Sequence, residues 1–154
     1  KEDNTIKDSK EVRSYLQSKK KKLFSYEIFE NLDLSKGNYE ELEFQFSSFV
    51  GCNFTQSSWN KSHLLFSNLQ NTMLKNTKME KMKIFDTDFS GATLEQVDFA
   101  GAKIKHVSFA GAKLIQVDFS KVLLAEEINF QDAQIVDCKF PEEVGSGLLY
   151  HENR

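Results

Sequence analysis

Large apolar residues return at every fifth position along most of this chain. The stretch from Phe89 to Phe119 shows the pattern most clearly, with a small or β-branched residue two positions before each large one. The large residues there are Phe89, Leu94, Phe99, Ile104, Phe109, Leu114 and Phe119. A period of five fits neither an α-helix, with about 3.6 residues per turn, nor a strand that alternates between two faces. It predicts a backbone that turns a corner every five residues and buries one large and one small side chain per side.

The period runs from Leu34 to Leu124 and, after one inserted residue placed within 125–129, continues from Phe130 to Phe140. Such internal self-similarity is typical of stacked-repeat proteins. With its small residue, polar residue, central Leu or Phe and two variable residues, the chain resembles the pentapeptide-repeat family. The resemblance implies an all-β solenoid, a right-handed quadrilateral β-helix in which four pentapeptides form one coil. We expect about five coils with an N-terminal α-helical cap.

Residues one coil apart form columns that separate by side-chain type, which supports the four-sided coil. The columns containing Trp59 and Phe89 are mostly aromatic, whereas those containing Leu64 and Leu94 are mostly aliphatic. Stacking side chains of like size fills a narrow interior without voids, as close packing requires. The predicted structural core comprises Phe49, Phe54, Trp59, Phe89, Phe99, Phe109, Phe119 and Phe130.

Three segments are predicted from composition and period. Residues 1–23 lack the period and form an N-terminal cap, with a helix from Ser9 to Leu23 that carries Val12, Tyr15, Leu16 and Lys19 on one face. Residues 24–140 form the β-helix, beginning with a distorted first coil or a cap over 24–44, where large or acidic residues occupy the small positions. Residues 141–154 form a tail, because Pro141 cannot donate to another ladder hydrogen bond.

Four apolar residues occupy outward positions where a solvated β face normally carries polar side chains. They are Phe46, Leu65, Phe66 and Phe85, and they flank the column of Phe44 and Leu64. Contiguous apolar patches on a surface usually mark contacts. Two covers are open at this point: the N-terminal helix, through Val12, Tyr15 and Leu16, or a partner protein.

Residues suited to catalysis or metal binding are sparse. His63, His106 and His151 have no metal-ligand spacing. Cys52 and Cys138 fall at small inward positions several coils apart, so we expect free, core-filling thiols and a reducing compartment. Asp88, Asp98 and Asp118 occupy the outward polar position beside turns, and the run Lys19–Lys22 is interpreted as a solvated helix end. No catalytic residue, cofactor or metal is predicted, and we expect the protein not to be an enzyme.

Composition narrows the partner class. The chain carries 20 Lys and Arg against 23 Asp and Glu, a formal net charge of −3, and no apolar run long enough to span a membrane. We therefore expect no direct nucleic-acid binding. The leading hypothesis is a protein-interaction scaffold that uses its flat β faces, in the bacterial cytoplasm, with a homodimer through a solenoid end as one option.

The resemblance implies two alternative functions. The first is a DNA mimic that binds and protects DNA gyrase, although the charge is only mildly acidic and lysines decorate the regular coils. The second is a secreted bacterial effector, or a domain of one, so secretion into a host stays open. The partner's identity does not follow from the sequence.

Overall fold

The chain folds into a right-handed quadrilateral β-helix of about six turns with one short helix at its N-terminal end. The computed structural model describes residues 8–142 and 150–152. Parts of the predicted cap and tail, at 1–7, 143–149 and 153–154, lie outside the described residues. The elements are α1 (Ser9–Gln17), β1 (Leu23–Ser25), β2 (Glu43–Gln45), β3 (His63–Leu65), β4 (Met73–Lys75), β5 (Lys83–Asp88), β6 (Thr93–Asp98), β7 (Lys103–Ser108), β8 (Lys113–Asp118), β9 (Leu124–Phe130), β10 (Gln134–Val136) and β11 (Tyr150–Glu152).

Parallel pairing between successive coils builds two sheets. One has the order β1-β2-β3-β5-β7-β9-β11 and the other β10-β8-β6-β4. Over most of the stack each strand residue pairs with the one twenty positions on, as in Phe44 with Leu64 and Leu74 with Leu94. In a parallel ladder of this kind, side chains of equivalent residues stack directly above one another, so the sequence columns become physical columns.

The corners of the square depend on left-handed backbone conformations. Two residues after the large inward residue, φ is positive, for example 61° at Gln56, 59° at Asn71 and 72° at Gly91. A left-handed residue reverses the chain direction tightly, but it costs a non-glycine residue about 1–2 kcal/mol. Glycine avoids that cost, which explains why Gly91, Gly101 and Gly111 recur at this phase of the repeat.

The eight residues predicted as core are buried, each with 3% or less of its surface exposed. Stacked rings continue through the coils, with centroids 5.3 Å apart for Phe89 and Phe109 and 5.0 Å apart for Phe99 and Phe119. Cys52 is buried among the core residues and donates to the Phe29 carbonyl at 3.0 Å, and burial raises its pKa to about 11. Cys138 is half-buried, and both thiols are free.

The inserted residue lies earlier than predicted. Asp98 pairs with Asp118, twenty residues on, but Lys103 pairs with Leu124 and Ile104 with Ala125. The prediction of Leu124 as an inward residue, with the insertion after it, is therefore wrong. The extra residue lies at the turn before β9, where Leu123 is 71% exposed, because an insertion inside the strand would interrupt its hydrogen-bond ladder.

The helix ends earlier than predicted. Asp8 caps α1 by accepting from the Lys10 amide at 3.1 Å, and Ser18 ends the helix, so Leu23 belongs to β1 instead. The chain leaves the helix through Lys19, which has φ of 61°.

Helix α1 closes the N-terminal end of the solenoid. Val12 and Leu16 are buried in the core cluster, while polar side chains of the helix bind backbone groups at the edge of the first coil. Ser9 Oγ accepts from the Asp33 amide at 2.9 Å, and Gln17 Oε1 accepts from the Asn38 amide at 2.7 Å. These contacts satisfy edge groups that would otherwise be free to pair with another chain.

The first coil is regular rather than distorted. Phe24 pairs with Phe44, and bridges join Asp33 to Asn53 and Asn38 to Ser58. Leu32 and Leu42 are too large for the small position of the repeat, yet both are buried. This coil has α1 below it instead of another coil, so its inward positions are not restricted to small residues. Counting it gives about six turns instead of about five.

Two single-residue deletions test where the extra residue lies. Deleting Leu123 leaves every later residue on its present partner in β7, so we expect the free energy of unfolding in urea to change by less than about 1 kcal/mol. Deleting Lys103, inside β7, shifts the register of a buried strand and should cost more than about 3 kcal/mol. Equal destabilisation by the two deletions would mean that the extra residue is not at Leu123.

Candidate protein-interaction surface

The four outward apolar residues of the sequence prediction occupy two neighbouring positions of the coil. Leu65 and Phe85 pair in register on the face of β3 and β5, and both are half-buried. Phe46 and Phe66 come directly after β2 and β3 at the corner of the square, where they are 48% and 53% exposed. Their rings stack with centroids 5.0 Å apart and planes 7° apart.

A third aromatic residue, which the sequence prediction missed, extends this stack. The Tyr26 ring lies 5.2 Å from that of Phe46 at an angle of 9°, and Tyr26 is 74% exposed. We call Tyr26, Phe46 and Phe66 the aromatic corner. Ile28, also exposed, lies two residues beyond Tyr26. Tyr26 lies twenty positions before Phe46, so a regular first coil would have predicted it as part of the same column.

All three residues of the aromatic corner adopt the left-handed conformation, with φ of 58° at Tyr26, 51° at Phe46 and 52° at Phe66. Positive φ is uncommon for bulky side chains. Other corners of the described chain place Asn, Gly, Gln, Lys, Asp or Glu at the equivalent position. Strained residues of this kind cluster at functional sites. The aromatic corner therefore combines strained backbone with exposed apolar surface.

Helix α1 does not cover the aromatic corner. Its side chains reach the end of the first coil instead, where Tyr15 packs edge-on against Phe24 at 5.4 Å and donates to Glu27 Oε2 at 3.0 Å. The exposures of Phe46 and Phe66 hold with residues 8–142 and 150–152 all in place. The N-terminal helix, one of the two covers considered for the outward apolar residues, therefore lies elsewhere.

Beyond Phe66 the same corner becomes charged. The next three positions along it are Asp86, His106 and Glu127, and all three have positive φ. His106 Nε2 lies in hydrogen-bonding contact with Glu127 Oε1. With Asp88 they line a shallow depression of about 450 Å³. Within residues 8–142, the Asp86 side chain has no ion pair or hydrogen bond, so its carboxylate is open to a cation. We call Asp86, Asp88 and Glu127 the acidic stretch.

The outward aspartates have a structural role in the turns. Asp88, Asp98 and Asp118 accept hydrogen bonds from the amides of Ser90, Ala100 and Ser120 at 2.8, 2.9 and 2.8 Å. These bonds are side-chain turns of the type that Asp commonly forms two residues ahead. Burial acts to raise the pKa of Asp118, but the hydrogen bonds from Ser120 and the nearby lysines together outweigh it, so the pKa is lowered.

Groups suited to catalysis or metal binding are not brought together in the described ranges. His63 Nδ1 lies 3.3 Å from Glu43 Oε1, on a different part of the surface from His106. No three His, Cys, Asp or Glu side chains of residues 8–142 converge on a metal-sized site. The short helix is not long or apolar enough to cross a membrane, and the described residues contain no other helix.

Comparison with known proteins identifies the repeat. Residues 47–81 and 84–120 match the family described as pentapeptide repeats, in 8 copies. Over these residues the chain belongs to the pentapeptide-repeat family. The match indicates no enzymatic family. No curated protein matches the pentapeptide-repeat chain in sequence.

Solved structures agree on the pentapeptide-repeat fold. A trypsin-treated variant of QnrB1, a plasmid-mediated fluoroquinolone resistance protein, superposes with a TM-score of 0.73 at 21% identity, over 77% of this chain and 60% of that chain. A pentapeptide repeat protein from the thylakoid lumen of Arabidopsis thaliana superposes with a TM-score of 0.59 at 18% identity, over 72% and 74%. The match thus spans only 60% of the QnrB1 chain. At these identities the likeness shows the fold alone.

Replacing Phe66 by Asn should leave stability nearly unchanged. The substitution loses one ring stack, about 0.5–1.5 kcal/mol, but relieves part of the left-handed strain, because Asn adopts this conformation more readily than Phe. We expect the free energy of unfolding to change by less than about 1 kcal/mol in urea, whereas Phe49→Ala in the core should cost about 3–5 kcal/mol. A loss at Phe66 as large as that at Phe49 would show that the aromatic corner stabilises the fold and is not reserved for contacts.

Proposed function

We propose that this pentapeptide-repeat protein is a non-enzymatic scaffold that binds a partner protein through its aromatic corner and the adjoining sheet face. The observation that carries this proposal is the row of three exposed aromatic rings on strained backbone, at positions where Asn or Gly would fold more easily. Exposed contiguous aromatic surface is typical of contact sites, and aromatic residues dominate binding energy at protein interfaces.

The regular interior and the surface are independent in this fold, which suits a scaffold. Inward side chains determine the coil, while outward ones vary without changing the register. Leu65 and Phe85 extend the aromatic corner onto a strand face, where Lys83 Nζ lies 5.0 Å from the centre of the Phe85 ring, so a partner meets an apolar strip with a cation at its edge. Such a core of apolar contacts within a polar rim matches the anatomy of protein interfaces.

Capture of the partner tests this proposal. Immobilised full-length protein should retain a specific partner from a lysate of the organism that encodes it, and the partner is then purified and titrated against each variant. We expect Phe66→Asn to weaken binding by about tenfold or more, the effect of losing one contact of about 1.4 kcal/mol. Leu123→Asn is the matched control, because it removes another exposed apolar side chain, at the turn before β9 and outside the aromatic corner. Unchanged affinity in Phe66→Asn would refute the assignment.

A second candidate function is protection of DNA gyrase by imitation of DNA, which the likeness to a fluoroquinolone resistance protein favours. The pattern of surface charges supports DNA mimicry less well. One outward column contains Ser58, Lys78, Asp98, Asp118 and Lys139, so its two aspartates have a lysine on either side and do not form a long phosphate-like row.

A supercoiling assay separates the two candidates. If the protein imitates DNA, it should inhibit gyrase supercoiling or relieve quinolone trapping, and replacing Asp88, Asp98 and Asp118 by Asn should abolish the effect, because the mimic depends on their negative charge. The Asn side chains retain the turn hydrogen bonds, so folding is expected to persist. A wild-type protein without effect at concentrations well above that of gyrase would remove this candidate.

A further inference from the structure

We propose that the aromatic corner and the acidic stretch together bind an amphipathic α-helix of the partner, one that carries a Lys or Arg one turn beyond its apolar stripe. This inference rests on the proposed scaffold function and specifies the class of partner. Three observations carry it: the spacing of the rings, the shape of the corner and the change from apolar to acidic along a single line of the solenoid.

The spacing of the rings matches a helix better than an extended peptide. Along the aromatic corner the centroids are 5.2 and 5.0 Å apart. Successive turns of an α-helix are about 5.4 Å apart. Side chains on one face of a strand are about 6.6–6.8 Å apart, and successive turns of a polyproline helix are about 9 Å apart. Apolar residues at i, i+4 and i+7 of a helix can therefore each meet one ring, whereas an extended peptide drifts out of step by the third.

The shape of the surface also suits a helix. The aromatic corner is a convex ridge, and helix surfaces present grooves between rows of side chains into which ridges pack. Half-buried Leu65 and Phe85 lie on one side of the ridge, and exposed Ile28 lies on the other. A helix seated on the ridge would contact both sides, so its apolar stripe would be wider than a single row, as is usual for helices that bind in this way.

The charge of the ridge beyond Phe66 determines which side chain the helix needs at the end of its apolar stripe. One coil beyond Phe66 the ridge continues with Asp86, which has no ion pair in the described part of the chain. Asp88 lies beside it, and Glu127 lies two coils further on, paired with His106. A Lys or Arg one helical turn past the last apolar residue would meet Asp86. Complementary charge at an interface rim determines orientation and partner choice more than raw affinity.

The probe for this inference is a short, fluorescently labelled, alanine-based helical peptide with Leu at i, i+4 and i+7 and Arg at i+11. Its binding to the full-length protein is measured by fluorescence anisotropy. We expect saturable binding that weakens about tenfold or more in Phe66→Asn and is unchanged in Leu123→Asn. A peptide of the same composition, with its leucines distributed around the helix, should not bind.

A charge exchange tests the acidic stretch. Asp86→Lys should weaken binding of the Arg peptide and, because the charges are then reversed, should favour a peptide with Glu at i+11. Gln116→Lys is the matched control, since Gln116 has the same left-handed geometry on another corner. The effect of the Asp86→Lys exchange on peptide binding should become smaller as the salt concentration rises, because exposed charges are screened.

Each remaining outcome overturns the helix inference in a recognisable way. A peptide that does not bind, or binds equally after a central Pro breaks its helix, excludes a helical occupant. A dimer in light scattering that Phe66→Asn dissociates assigns the aromatic corner to a second copy of this chain. If the natural partner depends on Phe66 but the peptide does not bind, the scaffold function stands and the helix inference falls. If neither the natural partner nor the peptide depends on Phe66 for binding, both the scaffold function and the helix inference are wrong.

Discussion

The left-handed residue in each pentapeptide is the constraint on which this structure depends. It turns the chain through a corner every five residues, and four such corners return it to its starting column one coil higher. Stacking of equivalent residues is a consequence of that return, as is the segregation of aromatic from aliphatic columns. Lys121, in the turn before β9, does not have the positive φ found at the equivalent residues of the other described turns. In this turn the chain needs one extra residue to complete its coil.

Because the turns are strained but repeated, the fold tolerates most side chains at them. Lys, Gln, Asn, Asp and Glu all occupy left-handed positions, and each exposes its side chain to solvent. Their strain is offset by the parallel ladder and by a dry, close-packed interior. The aromatic corner differs because its rings add exposed apolar surface to that strain. Stability alone does not account for Tyr26, Phe46 and Phe66, whereas the proposed binding of a partner would.

The period, the columns and the buried aromatic residues were all predictable, since they depend on side-chain volume, which a sequence displays directly. The place of the extra residue was not, because the apolar pattern fits two placements and only the pairing of Lys103 with Leu124 decides between them. Tyr26 was missed for a related reason. Leu32 and Leu42 appeared too large for the repeat, whereas the neighbouring helix removes the limit on their size. Asp86 lies one step of twenty beyond Phe66 and was predictable in the same way, whereas the place of Glu127 on this line depends on the extra residue before β9.

The two ends of the solenoid are closed to different degrees. Helix α1 occupies the first coil's edge groups, whereas at the other end β11 covers only the sheet of β9, and β10 has no outer neighbour among the described residues. A filament needs two complementary open edges on every subunit. Because α1 holds the amides of Asp33 and Asn38, a second copy of the chain cannot pair with that part of the first coil, so edge pairing is hindered more there than at β10. Unequal ends of this kind disfavour indefinite polymerisation of a stack of parallel strands.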